Sequence, residues 1–123
     1  MTYLAISVGA ILGANARFLL GGLIADRFGS SFPLGTLIIN VTGSFLIGIV
    51  LTIATERTGA PVWLRPLVAI GFLGSYTTFS TFSYETLALV QGGAVLAAVL
   101  NIAASVGASL VGVYLGIVVA RAI

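Results

Sequence analysis

The chain has no cysteine, no histidine and no lysine, and only three acidic residues, Asp26, Glu56 and Glu85. These gaps exclude whole classes of function. A catalytic metal centre or a nucleophilic triad has almost no raw material here, so an enzyme is the least expected reading. The lack of cysteine decides nothing about redox compartment. Five arginines, Arg17, Arg27, Arg57, Arg65 and Arg121, are the only basic side chains, and the net charge of +2 is too small and too scattered for a nucleic-acid partner. Charged residues make up 7% of the chain, against about 25% in soluble domains. What is present instead is apolar: 59% of the residues are hydrophobic. Too little polar surface exists to cover a globule in water, and the solvent that suits this composition is lipid.

A membrane crossing takes roughly 20 apolar residues for about 30 Å of hydrocarbon. Four stretches satisfy this, at about 3–24, 34–55, 62–90 and 94–120, which predicts an all-α integral membrane protein with four transmembrane helices in one domain spanning 1–123. The first closes at Asp26-Arg27 with Pro33 beyond. The second ends at Glu56-Arg57-Thr58-Gly59 before Pro61, and the fourth starts after Gln91-Gly92-Gly93. The opening segment has no basic n-region and no distinct cleavage site, so it reads as a mature transmembrane helix rather than a signal peptide. Small residues recur at four-residue spacing: Gly9 and Gly13, Ser44 and Gly48, then Ala108, Gly112 and Gly116. Such stripes let helix backbones approach closely in lipid, most simply within the chain.

The third stretch is longer than one crossing needs and is chemically unusual. Residues Gly71-Phe72-Leu73-Gly74-Ser75-Tyr76-Thr77-Thr78-Phe79-Ser80-Thr81-Phe82-Ser83 place two glycines and six serines or threonines at membrane depth. These types weaken a helix, and a break there exposes carbonyls that must be buried in protein or line a wet cavity. A helix broken near its middle is therefore expected, with its freed carbonyls available to a cation. The alternative is an unbroken helix whose hydroxyls bond back to its own carbonyls.

Several polar groups need partners. Arg17 lies some seven residues inside the first span, a depth of roughly 10 Å. It either snorkels to the interface or lends positive potential to a vestibule that gathers anions. Asn40 is either interhelical glue or a donor to a passing anion. Asn101, Ser105 and Ser109 fall at i, i+4 and i+8 on one face of the fourth span and suggest a pathway wall. Phe79 and Phe82, three apart, could turn positive ring edges into a narrow pore, giving the weak serial sites that conduction needs. Glu85, the one acid inside an apolar span, is either a proton-coupling group or a partnered carboxylate near the interface.

Four crossings put both chain ends on one side, which collects Arg57, Arg65 and Arg121 against Arg27 on the other. This bias is weak, and a chain so evenly balanced could insert both ways and pair about a two-fold axis in the membrane plane. Four short helices barely enclose a pore, so a pathway shared with a second copy is the economical arrangement.

The segments Gly9-Ala10-Ile11-Leu12-Gly13-Ala14-Asn15-Ala16-Arg17-Phe18, then Gly35-Thr36-Leu37 with Asn40 and Gly43, and the run from Gly71 to Ser83 with Glu85 resemble the Fluc (CrcB-type) family of small bacterial fluoride channels. The similarity extends over essentially the whole chain, and the Thr77–Ser83 run is its most specific part. The resemblance implies a multi-pass protein of the bacterial plasma membrane that exports fluoride passively and so lowers its toxicity. It implies an antiparallel, dual-topology homodimer with two pores and a central structural sodium ion, and no organic cofactor. On the same grounds the sodium ligands would be the main-chain carbonyls of Gly74 and Thr77 from both subunits. Phe79 and Phe82 would be aromatic gates and Asn40 a pore donor, while Thr36, Ser80, Thr81, Ser105 and Ser109 would form the polar lining. Arg17 matches the family's first-helix arginine. Two positions depart from the pattern: Ser75 follows Gly74 where some relatives have a second glycine, and Asn101 stands where some carry a pore tyrosine.

The main alternative is a small dual-topology multidrug exporter of similar size. Such exporters depend on an acid within the first span; this chain has none there, and a cationic drug would meet Arg17. A non-transporting scaffold subunit does not account for the hydroxyl cluster with Phe79 and Phe82. Fluoride/proton exchange needs a titrating group in the path, and Glu85 is the sole candidate.

Overall fold

A computed structural model describes residues Met1–Ile123 and is entirely helical. Helices α1 (Thr2–Phe28), α2 (Leu34–Glu56) and α5 (Val95–Ala122) are each long and apolar enough to cross a membrane. The third stretch is divided. It begins as a π-helical segment, Leu64–Leu73, continues through one turn of α-helix, α3 (Gly74–Tyr76), and resumes as α4 (Phe79–Gln91). Between them Thr77 and Thr78 are extended, with ψ of 157° and 118°. The expected interruption is thus present, after Tyr76. The ten-residue π winding was not expected: π turns come mostly singly, and no residue type announces them. Its last bond is the Gly74 N–H to the Ala69 carbonyl, a step of five residues.

Close approaches fix the relative directions of the helices. Gly9 lies against Leu67 and Gly71, and Gly13 against Phe72, so α1 and the π segment run parallel. Gly112 meets Val41 and Gly116 meets Phe45, so α2 and α5 also run parallel. The pairs Thr36–Glu85, Asn40–Thr78 and Thr42–Tyr76 run in opposite senses, setting α2 antiparallel to the broken stretch. Most of the small-residue stripes seen in the sequence are therefore spent on packing within the chain; Ala108 is the exception and is exposed.

Only 19 of the 123 residues are buried, and side chains such as Phe18, Leu96 and Leu110 lie open on the outside. An apolar exterior of this extent far exceeds the patches that soluble proteins expose, and lipid or another protein must cover it. The small core is Ile39, Leu73 and Tyr76, with Leu20, Ile47 and Phe72 packed around it. The Phe72 and Tyr76 rings stack at 5.7 Å, and the Tyr76 hydroxyl meets Thr42 Oγ1 at 2.9 Å. The last turn before the break is thereby anchored to both the core and α2.

At one end of the bundle α2 and α5 are tied together. Arg57 Nη2 donates to the Ala120 carbonyl at 2.9 Å, and Arg121 pairs with Glu56, Nη2 to Oε1 at 2.6 Å. The hydrogen bond from Arg121, helped by its charge, holds the Glu56 carboxyl below its ordinary 4.5. A carboxyl depressed in this way contributes stability above its unfolded value and loses it as pH falls through the folded one. Both side chains are exposed, so the contribution is small. Glu56→Gln should lower the thermal midpoint slightly at neutral pH, and the difference should vanish once the pH is well below 4.5. A midpoint difference that persists in acid would show that the pair is not its source.

Candidate functional site

The break in the third stretch is held open by one side chain of α2. Asn40 Oδ1 accepts the Thr78 N–H at 2.8 Å, and Asn40 Nδ2 donates to the Thr78 carbonyl at 3.0 Å. A side-chain amide paired with both polar groups of an extended residue reproduces the bonding of a neighbouring strand, where the helix ladder has been lost. Thr78 also caps α4: its Oγ1 accepts the Thr81 N–H at 3.2 Å. These diversions leave two carbonyls without their usual helical donors. The i+4 donor for Gly74 is Thr78 N–H, which goes to Asn40, and that for Thr77 is Thr81 N–H, which goes to Thr78 Oγ1.

Two cavities adjoin the break, and Thr78 contributes to the wall of both. The larger, about 760 Å³, opens at the end of the bundle where α1 meets α2. Arg17, Thr36, Thr81, Tyr84 and Glu85 line it together with the Ser30–Leu34 turn. Thr36 Oγ1 donates to Glu85 Oε1 at 2.9 Å, while Glu85 Oε2 is buried without a partner. The smaller cavity, about 430 Å³, lies between α2, α4 and α5. Asn40, Thr77, Phe79, Phe82, Ser105 and Ser109 face it. The two rings sit 5.6 Å apart at 48°, Phe82 buried and Phe79 78% exposed on the open flank of the chain.

Most of the residues singled out in the sequence thus gather around these two spaces. Arg17, Thr36, Thr81 and Glu85 belong to the mouth, and Asn40, Phe79, Phe82, Ser105 and Ser109 to the inner cavity. Ser80 lines neither; it is exposed, its hydroxyl 3.3 Å from Thr78 Oγ1. Asn101 also lines neither and is 1% exposed, behind Ser105. Gly74 and Thr77 flank the turn that ends α3, Gly74 exposed. Three residues that the sequence pattern did not place at the site matter here. Thr78 carries the break, Ser44 lines the inner cavity, and Thr86 joins α4 to α5 through Asn101. Thr78 could have been found as the hydroxyl three residues before Thr81, an N-cap spacing.

Residues 4–117 match the family model described as CrcB-like protein, Camphor Resistance (CrcB). The chain belongs to the CrcB family. A member from Roseiflexus sp. (strain RS-1), named fluoride-specific ion channel FluC, is 50% identical over 121 residues, 98% of each chain. Proteins of the same name from Geobacter sp. (strain M21) and Geobacter sulfurreducens are 47% identical over 123 residues and 48% over 120. These alignments cover 100% and 98% of this chain, and 98% and 97% of the respective relatives. CrcB proteins of this kind are ion channels by name and not enzymes, in keeping with a chain that carries no catalytic constellation. A match along the full length leaves the multidrug-exporter alternative without support.

Proposed function

We propose that the chain is a fluoride-selective channel that lets fluoride leave the cytoplasm of a bacterial cell passively across the plasma membrane. The observation that carries this reading is the pair of cavities meeting at Thr78, one with an arginine in its mouth and one walled by hydroxyls, an amide and two phenylalanine rings. Arg17 raises the local anion concentration at the mouth. Thr81 offers a hydroxyl proton there, whereas Thr36 spends its own on Glu85, and Asn40 has a second amide proton that Thr78 leaves free. Phe79 and Phe82 present ring edges, attractive to a small anion without trapping it.

The functional unit in this proposal is an antiparallel homodimer of four-crossing subunits, each copy with its own pore, inserted in both orientations. Gly74 and Phe79, both exposed on either side of the break, mark the flank that a second copy would cover. The carbonyls of Gly74 and Thr77, deprived of their helical donors, fit a hard cation, for which oxygen ligands are the natural set. Two copies would bring four such carbonyls to one sodium ion. When bound, that ion would supply fixed positive charge and join the subunits at the break.

A second reading, fluoride/proton exchange, rests on the unpartnered Glu85 Oε2 in the mouth. Both readings are tested with liposomes containing the protein, loaded with potassium fluoride or potassium chloride, and triggered with valinomycin. Rapid fluoride release with chloride retained, and no accompanying proton movement, is expected. Phe82→Ile should slow the release by about tenfold or more, equivalent to ~1.4 kcal/mol on the barrier. No release from folded, dimeric protein would end the channel reading, and release that requires a proton gradient would favour exchange.

A further inference from the structure

Behind the inner cavity, side chains of α4 and α5 form a buried relay that no pore role accounts for. Ser105 Oγ donates to Asn101 Oδ1 at 3.3 Å, Asn101 Nδ2 donates to Thr86 Oγ1 at 2.9 Å, and Thr86 Oγ1 donates to the Phe82 carbonyl at 2.7 Å. The direction of this relay is fixed at its far end. A carbonyl only accepts, so Thr86 spends its single proton on Phe82 and must accept from Asn101. The Asn101 amide is therefore oriented with nitrogen toward Thr86 and oxygen toward Ser105. Both ends of the relay reach cavity walls, Ser105 on α5 and Phe82 on α4, while Asn101 and Thr86 line neither cavity.

We propose that Asn101 is a positioning residue that holds the Ser105 proton away from the anion path and so makes Ser105 a reluctant donor. A serine hydroxyl has one proton and two lone pairs. With the proton committed to Asn101, the oxygen turns lone pairs toward the cavity, which an anion does not welcome. For Ser105 to donate to a passing anion, its hydroxyl must rotate away from Asn101. At 3.3 Å that bond is long, so the rotation costs little but is never free. Ser109, one turn along the same wall, makes no such bond and can donate at once. The inner cavity thus has an unrestrained and a restrained hydroxyl in sequence, and the restrained one lets the anion leave. The proposal rests on reading the inner cavity as the fluoride path.

Fluoride efflux from liposomes, measured against internal fluoride concentration, tests it on the full chain. Asn101→Leu is close in volume and cannot accept the Ser105 proton. It should lower the half-saturating fluoride concentration by about two- to tenfold, the factor a neutral hydrogen bond is worth, and lower the maximal rate with it. In a Ser105→Ala background the same substitution should no longer shift half-saturation. If the leucine variant does not assemble, Asn101→Ala serves, with the same expected direction. A half-saturation that is unchanged or raised, or one that shifts equally without the Ser105 hydroxyl, would overturn the proposal, since a merely structural Asn101 would change the amount of active protein and not its apparent affinity. Unsubstituted protein that conducts no fluoride would remove the channel reading and this proposal together, whereas a conducting protein whose half-saturation ignores Asn101 overturns the proposal alone.

Discussion

Asn40→Asp should reduce fluoride efflux at neutral pH by about two to three orders of magnitude. The native amide both accepts from and donates to Thr78. An ionised aspartate keeps the acceptor and sets a second oxygen against the Thr78 carbonyl, which loses its donor. An unsatisfied carbonyl of this kind costs about 1–3 kcal/mol. The new charge on the cavity wall matters more. Two negative charges about 4 Å apart repel by roughly 4 kcal/mol at an effective dielectric constant of 20, nearly a thousandfold in rate. Asn40→Ala separates the two effects, because it removes both bonds to Thr78 but adds no charge. It should weaken the break yet pass more fluoride than the aspartate variant. Initial efflux rates from liposomes with matched amounts of folded protein are the measurement. An aspartate variant as fast as the unsubstituted protein would place Asn40 outside the anion path.

Gly13→Ala should damage assembly of the fold itself. A β-carbon at Gly13 would fall inside the Phe72 carbonyl group, and the obstacle is backbone, which cannot swing aside as a side chain can. Relief requires α1 to move off the π segment, at a cost of about 1–3 kcal/mol for overpacking. Gly9 and Gly71 lie in the same seam, so Gly9→Ala should behave alike. Gly22→Ala is the contrast. Nothing lies within 4 Å of its would-be β-carbon, so the gain in helix propensity of about 1 kcal/mol should come through. Thermal unfolding in detergent should show a lowered midpoint for Gly13→Ala and an unchanged or raised one for Gly22→Ala. Equal midpoints for the two variants would contradict the close α1–π packing.

Much of the architecture was legible in the residues because membrane segments are dominated by local composition. Apolar runs long enough to cross, ended by charges, glycine and proline, mark helices within a residue or two of Leu34–Glu56 and Val95–Ala122. The hydroxyls and glycines of the Gly71–Ser83 run signalled an interruption, since they weaken a helix wherever it lies. The π winding of Leu64–Leu73 was not legible. Its backbone lies against Gly9 and Gly13 of α1, and a contact with a helix far away in the chain leaves no pattern in the segment itself.

The site divides along the same line. By itself the sequence determined a lipid-soluble helical chain, with a weak point in its third stretch, an arginine near one end and two phenylalanines three apart. Each of these follows from the chemistry of neighbouring residues. Only the tertiary structure decided that Asn40, 38 positions away, would pair with both backbone groups of Thr78. It also decided that Ser105 and Ser109 would face the inner cavity while Asn101, on the same helical stripe, is turned toward Thr86 and away from it. Helical spacing puts three polar residues on one face, but which part of that face meets a cavity and which meets another helix depends on the packing of α4 against α5. A buried amide goes where its hydrogen bonds can be met, and those partners come from a different helix.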